Sequence, residues 1–131
     1  MTRRREGRRR AALILYQADV TGRGPAEVLE EREELGERLP SFTRELVLGV
    51  AGHLAELDEV IGRVAEGWTV ARMAAVDRAL LRLAAHEILH REDVPAAVAI
   101  DEAVAAAKEL STEDSGRFVN GVLGRIASEP A

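Results

Sequence analysis

Apolar positions recur along this chain at the three-and-four spacing of helices, and breaking residues divide the pattern into seven stretches. The first starts within Arg3–Arg8 and runs to about Val20. Ala11, Leu15 and Ala18 mark one face of it, which Leu13, Ile14 and Tyr16 widen. Thr21-Gly22-Arg23-Gly24-Pro25 stops it, and Pro25 suits the first turn of the next helix. That second helix, Ala26–Leu35, carries five glutamates and only a thin stripe of Val28, Leu29 and Leu35, which predicts a short peripheral element. Gly36 ends it, and Leu39-Pro40 makes a turn.

Ser41 is then read as the cap of a third helix holding Leu46, Val47, Val50 and Leu54, with Gly49 and Gly52 allowing a neighbour to pack closely. Asp58 is read as the cap of a fourth, with Val60, Ile61 and Val64, which Gly67 terminates. Trp68 is expected to anchor the core, its indole N–H finding an acceptor. The fifth helix, about Ala74–His90, is apolar nearly all round and is therefore expected at the centre. Val94-Pro95 forces an extended break. Ile100, Val104, Ala107 and Leu110 follow on a sixth helix. Ser111-Thr112-Glu113-Asp114 reads as a capping box for a seventh, which buries Phe118, Val119, Val122, Leu123 and Ile126.

Asn120-Gly121 is a hairpin signal elsewhere, but it sits inside that helical pattern and is read as helix, with Gly121 allowing close approach. No segment alternates with period two. The pattern predicts an all-α protein of about seven helices, a single domain over residues 1–131.

Composition adds three constraints. With no cysteine, disulfides and thiolate zinc sites are excluded. No apolar run approaches the length of a bilayer, and Gln17 and Asp19 cut short the AALIL run that follows the arginines. The expectation is a soluble, cytoplasmic protein without membrane contact. Charge is unevenly placed: the first ten residues hold six arginines against Glu6, whereas the rest holds twelve basic and twenty-two acidic groups. A basic arm on an acidic body is the asymmetry of a segment that engages nucleic acid. Arg3, Arg4, Arg5, Arg8, Arg9 and Arg10 could neutralise up to six phosphates, giving a salt slope of at most about −4 on single-stranded RNA. Discrimination among sequences requires stacking and base-edge contacts on unpaired RNA. Phe118 beside Arg117, and Tyr16 after the arm, are the aromatic candidates; core packing competes evenly with this at Phe118 and is the favoured reading at Tyr16, whereas a solvated terminus is the lesser reading of the arginines.

His86-Glu87-Ile88-Leu89-His90 is a literal HExxH, the helical zinc motif in which the glutamate serves as general base, and Glu109 stands beyond it as a possible third ligand. Against a zinc metallopeptidase stand the lack of any strand to hold substrate and the near-continuous apolar surroundings, which leave no room for an open cleft. His86 then reads as a packing histidine, and His90 as a solvated one at a helix end. The glycines form neither GxGxxG nor GxxxxGK, and the serines lack a His/Asp framework. No catalytic residue, cofactor or metal is expected.

The string IDEAVAAAKELSTEDSGRFVNGVL closely resembles the C-terminal signature of the NusB family of bacterial transcription antitermination factors. VDRALLRLAAHEIL (Val76–Leu89) resembles the family motif before it, and RRRAALILYQADVTG (Arg8–Gly22) the N-terminal one. The resemblance implies two helical bundles packed together. It also implies binding to the single-stranded boxA element of nascent ribosomal RNA, jointly with the small-subunit ribosomal protein NusE. The resulting complex acts on the RNA polymerase elongation complex, helping it resist termination. Carried over by motif, the arm arginines, Asp114, Arg117 and Phe118 would lie at the RNA face, and Asp77 toward NusE. The chain departs from the family pattern at Arg9, where an acid is common, at His86, where an aromatic is usual, and at Asp101, where asparagine is frequent. The same fold serves as an accessory domain of ribosomal RNA methyltransferases, but nothing resembling a cofactor-binding domain is attached here. A helical adaptor or homodimer with only nonspecific RNA affinity remains the alternative.

Overall fold

A computed structural model of the chain describes residues 3–129; Met1 and Thr2 of the basic arm lie outside the described residues. Among the described residues the helices are α1 (Arg3–Thr21), α2 (Pro25–Glu34), α3 (Ser41–Gly52), α4 (Leu54–Val64), α5 (Ala75–His90), α6 (Ala96–Leu110) and α7 (Glu113–Ser128), with a 3₁₀ turn at Val70–Arg72 and no strand. The arm is thus not a loose extension: helical structure begins at Arg3.

The helices form two bundles. α1, α2 and α3 pack together in one, and α4, α6 and α7 surround α5 in the other. α5 also packs against α1 and α3, so its apolar circumference joins the two. Ala79, Leu80, Leu81, Leu83, Ala84 and Ala85 of α5 are all buried. Around them lie Ile14 and Leu15 of α1, Leu46, Val47 and Val50 of α3, Leu57 and Ile61 of α4, and Val119, Val122, Leu123 and Ile126 of α7. The two bundles therefore share one core.

Several local expectations are corrected. Pro40, not Ser41, occupies the N-cap of α3, with no side-chain cap. α4 starts at Leu54, which places Asp58 inside the helix, where its carboxylate accepts two hydrogen bonds from Arg82 at 2.8 and 2.9 Å. An acid that forms such a pair on an exposed helix face gives the same one-letter signal as a cap. At α7 the cap is Thr112 rather than Ser111: its hydroxyl oxygen accepts the Ser115 N–H at 3.0 Å. Gly49 does permit a close approach, since a Cβ there would fall 2.2 Å from Nε2 of His86, but a Cβ at Gly52 would meet nothing within 4 Å. At Gly121 it would come no closer than 3.8 Å, to Arg125. Leu35 and Leu110 face solvent.

The largest correction is Trp68, which is 52% exposed instead of anchoring the core. It follows Gly67, which lies in the turn after α4 ends at Val64 and whose φ of +78° is in the left-handed region that glycine adopts without strain. The chain there runs in the connection between α4 and α5, outside any helical period that would direct the side chain inward.

Candidate nucleic-acid interface

The first turns of α1 carry six arginines, of which Arg8 shares the buried face of Ala11, Ala12 and Leu15. Four of them meet acids spaced along the α5–α6 junction and α6, with Arg8 3.6 Å from Glu102. Arg4 pairs with Asp93 at 2.8 Å, Arg5 with Glu102 at 2.6 Å, and Arg9 with Glu109 at 2.6 Å. Hydrogen bonds from Arg5 hold Glu102 below the usual carboxylate range, and those from Arg9 do the same for Glu109. Asp93 is held well below it by Arg91 and then Arg4. Around the Phe42 ring stand three guanidinium groups, those of Arg4, Arg91 and Arg8, at 4.5, 5.1 and 5.3 Å from its centroid. Cation–π contact and ion pairing therefore order these side chains before any ligand arrives.

The six arginines are not equivalent. Arg8 is buried, and its guanidinium donates to both carboxylate oxygens of Glu87, Nε to Oε1 and Nη2 to Oε2, each at 2.9 Å. Arg10 donates to Glu6 at 3.5 Å and to the carbonyl of Arg38 at 3.4 Å. Arg3, Arg4 and Arg5 are exposed, and Arg9 is half-buried.

A second group of candidate residues gathers where α7 begins. Phe118 is half-buried against the core, and its ring meets that of Trp68 edge to face, with centroids 6.1 Å apart. Beside the pair opens a cleft of about 500 Å³ onto which Arg72, Asp77, Asp114 and Ser115 also face. Arg117, on the exposed side of α7, pairs with Asp114. Asp77, in the first turn of α5, is 7% exposed; its Oδ2 accepts from the Ser115 hydroxyl at 3.3 Å, whereas Oδ1 has no partner. Burial pushes its carboxyl up, and the Ser115 hydrogen bond partly opposes this. Asp77, Asp114 and Phe118 thus share one cleft, whereas Arg5, Arg8 and Arg9 of the arm pair with acids of α6. Tyr16 belongs with neither group: it lines an apolar hollow of about 200 Å³ with Leu13, Val76 and Leu110.

The HExxH segment is occupied otherwise. Glu87, which a zinc peptidase would need as general base, is 1% exposed and engaged by Arg8. His86 and His90 instead join His53, the residue between α3 and α4, in a cluster of all three histidines. The His53 and His90 rings stack with centroids 3.8 Å apart, and His86 lies 5.7 and 5.6 Å from them. Among the described residues no three histidine or acidic side chains are placed to hold a metal ion.

Residues 5–128 match the model of the NusB family. The chain belongs to that family. The transcription antitermination protein NusB of Saccharopolyspora erythraea is 52% identical over 130 residues, an alignment covering 97% of this chain and 88% of that protein. The solved structure of T. maritima NusB superposes with a TM-score of 0.86 at 38% identity, covering 99% of this chain and 94% of that one. A crystal structure of the antitermination factors NusB and NusE in complex with dsRNA matches with a TM-score of 0.81 at 30% identity, over 97% of this chain and 98% of that one. The all-helical, two-bundle architecture is thus the NusB architecture, and the three sequence motifs fall on α1, α5 and the α6–α7 pair.

What the sequence missed at this NusB surface is Trp68. The available signal was its place directly after a turn glycine, Gly67, and outside any apolar period, which marks a loop aromatic rather than a core one.

Proposed function

We propose that this chain is a non-catalytic, cytoplasmic transcription antitermination factor. It binds boxA-type single-stranded RNA of nascent ribosomal transcripts together with NusE, and through that complex acts on the RNA polymerase elongation complex. The observation that carries the reading is the likeness, over nearly the full chain, to a NusB captured with NusE and RNA. It is supported by relatives that are themselves transcription antitermination proteins. No described helix is long and apolar enough to cross a membrane, which agrees with action on a transcript.

In this reading Arg3, Arg4, Arg5, Arg9 and Arg10 face phosphates, Phe118 offers a stacking surface, and Asp114 and Arg117 border it. Arg8 is held by Glu87 and serves the fold. The exposed apolar strip of Leu13, Tyr16 and Leu110 suits a protein partner, and NusE is assigned to it. Asp77 is buried beneath the Trp68–Phe118 cleft, so it is assigned to the cleft rather than to the NusE surface.

Fluorescence anisotropy of a labelled boxA RNA tests the proposal, with and without NusE, at two salt concentrations, beside a scrambled RNA. Tight, salt-sensitive binding that NusE enhances and the scrambled RNA lacks supports it; equal weak binding to both RNAs overturns it. The same apolar strip also favours a second reading, a homodimer that would compete with NusE. Light scattering over a concentration series that shows only monomer removes that reading.

A further inference from the structure

The connection between α4 and α5 holds one 3₁₀ turn and is otherwise irregular, yet its backbone is tied down from several sides. Nη1 of Arg78, on α5, donates toward three of its carbonyls, those of Val70, Ala71 and Met73, at 3.0, 3.3 and 3.1 Å. The same guanidinium is anchored on α1, where Asp19 Oδ2 accepts from its Nε at 2.8 Å and also from its Nη2. Arg125 of α7 donates to the Val64 carbonyl at 2.8 Å, where α4 ends. This bracing presents Trp68 half in solvent, with Phe118 meeting the indole edge to face. A segment held at so many points has already given up the freedom that a loose binding loop loses when it captures a ligand.

We infer that the α4–α5 connection is a second RNA contact: an unpaired base stacks on Trp68, Arg72 meets a flanking phosphate, and Arg78 is the positioning residue that holds both. This deepens the RNA-binding reading and rests on it. Three observations choose RNA over an apolar peptide as the occupant. Charge is the first. The side chain of Arg72, exposed on the rim of the cleft of about 500 Å³, makes no hydrogen bond or ion pair among the described residues. The other charges there are offset: Asp114 is paired with Arg117, and burial pushes the Asp77 carboxyl toward its neutral form. One unengaged guanidinium thus leaves the rim positive, which a phosphate answers and an apolar peptide does not. Side-chain type is the second. Trp68 and Phe118, two of the chain's four aromatic residues, meet at this cleft beside arginine, the combination on which single strands stack. Continuity is the third. Arg9 of the arm pairs with Glu109, three residues before Thr112 on the cleft rim. Three residues span at most about 11 Å, so one short strand can lie on the arm and reach the cleft. Every base offers a face to stack, so the contact adds affinity and not sequence choice.

The chain contains one tryptophan, so its intrinsic fluorescence reports this contact directly. The full-length protein is titrated with a labelled boxA RNA at low salt, without NusE. Trp68 fluorescence and the anisotropy of the RNA label are read in parallel. Both signals should follow one binding curve, with Trp68 quenched by the stacked base. Trp68→Ala should keep the fold and weaken binding about tenfold, whereas Trp68→Phe, which keeps a stacking face, should weaken it no more than about threefold. Arg72→Gln should flatten the salt slope by about 0.7. A lysine at position 78 cannot serve three carbonyls and Asp19 together, so Arg78→Lys should weaken binding about fivefold alone and add nothing beside Trp68→Ala. An equal penalty in both backgrounds overturns the positioning role, because general loosening of the fold would act in either. The wild-type quenching needs no variant, so it stands even if Arg78→Lys fails to fold. Binding seen by anisotropy without quenching, or unchanged affinity of Trp68→Ala, overturns the contact and leaves the RNA-binding reading intact; a cleft that serves a protein partner would give that result. No binding of boxA RNA, with NusE or without it, overturns both.

Discussion

Arg8 and Glu87 form a buried bidentate ion pair that ties the arginine-rich start of α1 to the middle of α5. Their side chains are 9% and 1% exposed, and a further ion pair, from Arg8 to Glu102 at 3.6 Å, extends the contact to α6. Removing one member leaves an uncompensated charge in the core, at a cost of about 3–5 kcal/mol. Arg8→Ala and Glu87→Ala should each lower stability by that amount in urea unfolding, whereas the double replacement Arg8→Met with Glu87→Leu should recover most of the loss.

The arm arginines separate by salt dependence. For every phosphate of single-stranded RNA that an arginine no longer neutralises, the slope of log affinity against log salt should flatten by about 0.7. Arg9→Gln and Arg4→Gln are therefore expected to do so in an anisotropy salt series, without loss of fold. Glu109→Gln removes the acid that Arg9 now meets and should raise RNA affinity, because phosphate no longer competes with an internal carboxylate.

Two glycines that look alike in the sequence should respond in opposite ways. Gly49→Ala drives a methyl group into the His86 ring, an overpacking that costs about 1–3 kcal/mol. Gly52→Ala, with nothing within 4 Å, should be neutral or stabilise by about 0.5 kcal/mol. Thermal unfolding of both variants checks the pair.

Much of the fold was legible because the helical period is strong wherever a helix meets the core. Pro25, Pro95 and Gly67 marked its interruptions, and α5 declared itself central by being apolar all round. Helix starts were less legible. Asp58 and Ser41 have capping side chains, but a cap is set by the backbone geometry before the helix, which one-letter identity does not carry. Trp68 went wrong for a related reason: bulk apolarity predicts burial only where a period gives the side chain a direction. Phe118 and Asp114 could be placed near a surface from the motif, but their meeting with Asp77 brings together residues more than thirty positions apart in sequence, and only the packing of α5 on α7 reveals it. The division of labour among the arginines was likewise invisible, since Arg8 and Arg9 differ only in the helix face they occupy.

Acid should weaken the protein through its histidine cluster. His86 is pushed down from 6.5 to about 4, first by burial, then by His90, His53 and Arg91, with Glu56 opposing. A folded-state value below the unfolded one means that the unfolded chain binds the proton more readily. The contribution is therefore whole above pH 6.5 and is lost as pH falls from there toward 4, on the order of 3 kcal/mol in all. The melting temperature should fall between pH 7 and pH 4.5. His86→Phe, the aromatic type that the family resemblance sets at this position, should flatten that part of the profile.

The central claim is that this chain keeps RNA polymerase transcribing through a terminator by way of boxA. Terminator readthrough, measured in a bacterial transcription extract depleted of its own NusB, tests it most directly. Adding the purified chain should restore readthrough on a template with boxA upstream of the terminator and not on one with boxA scrambled. Equal readthrough from the two templates, or none from either, would contradict the account.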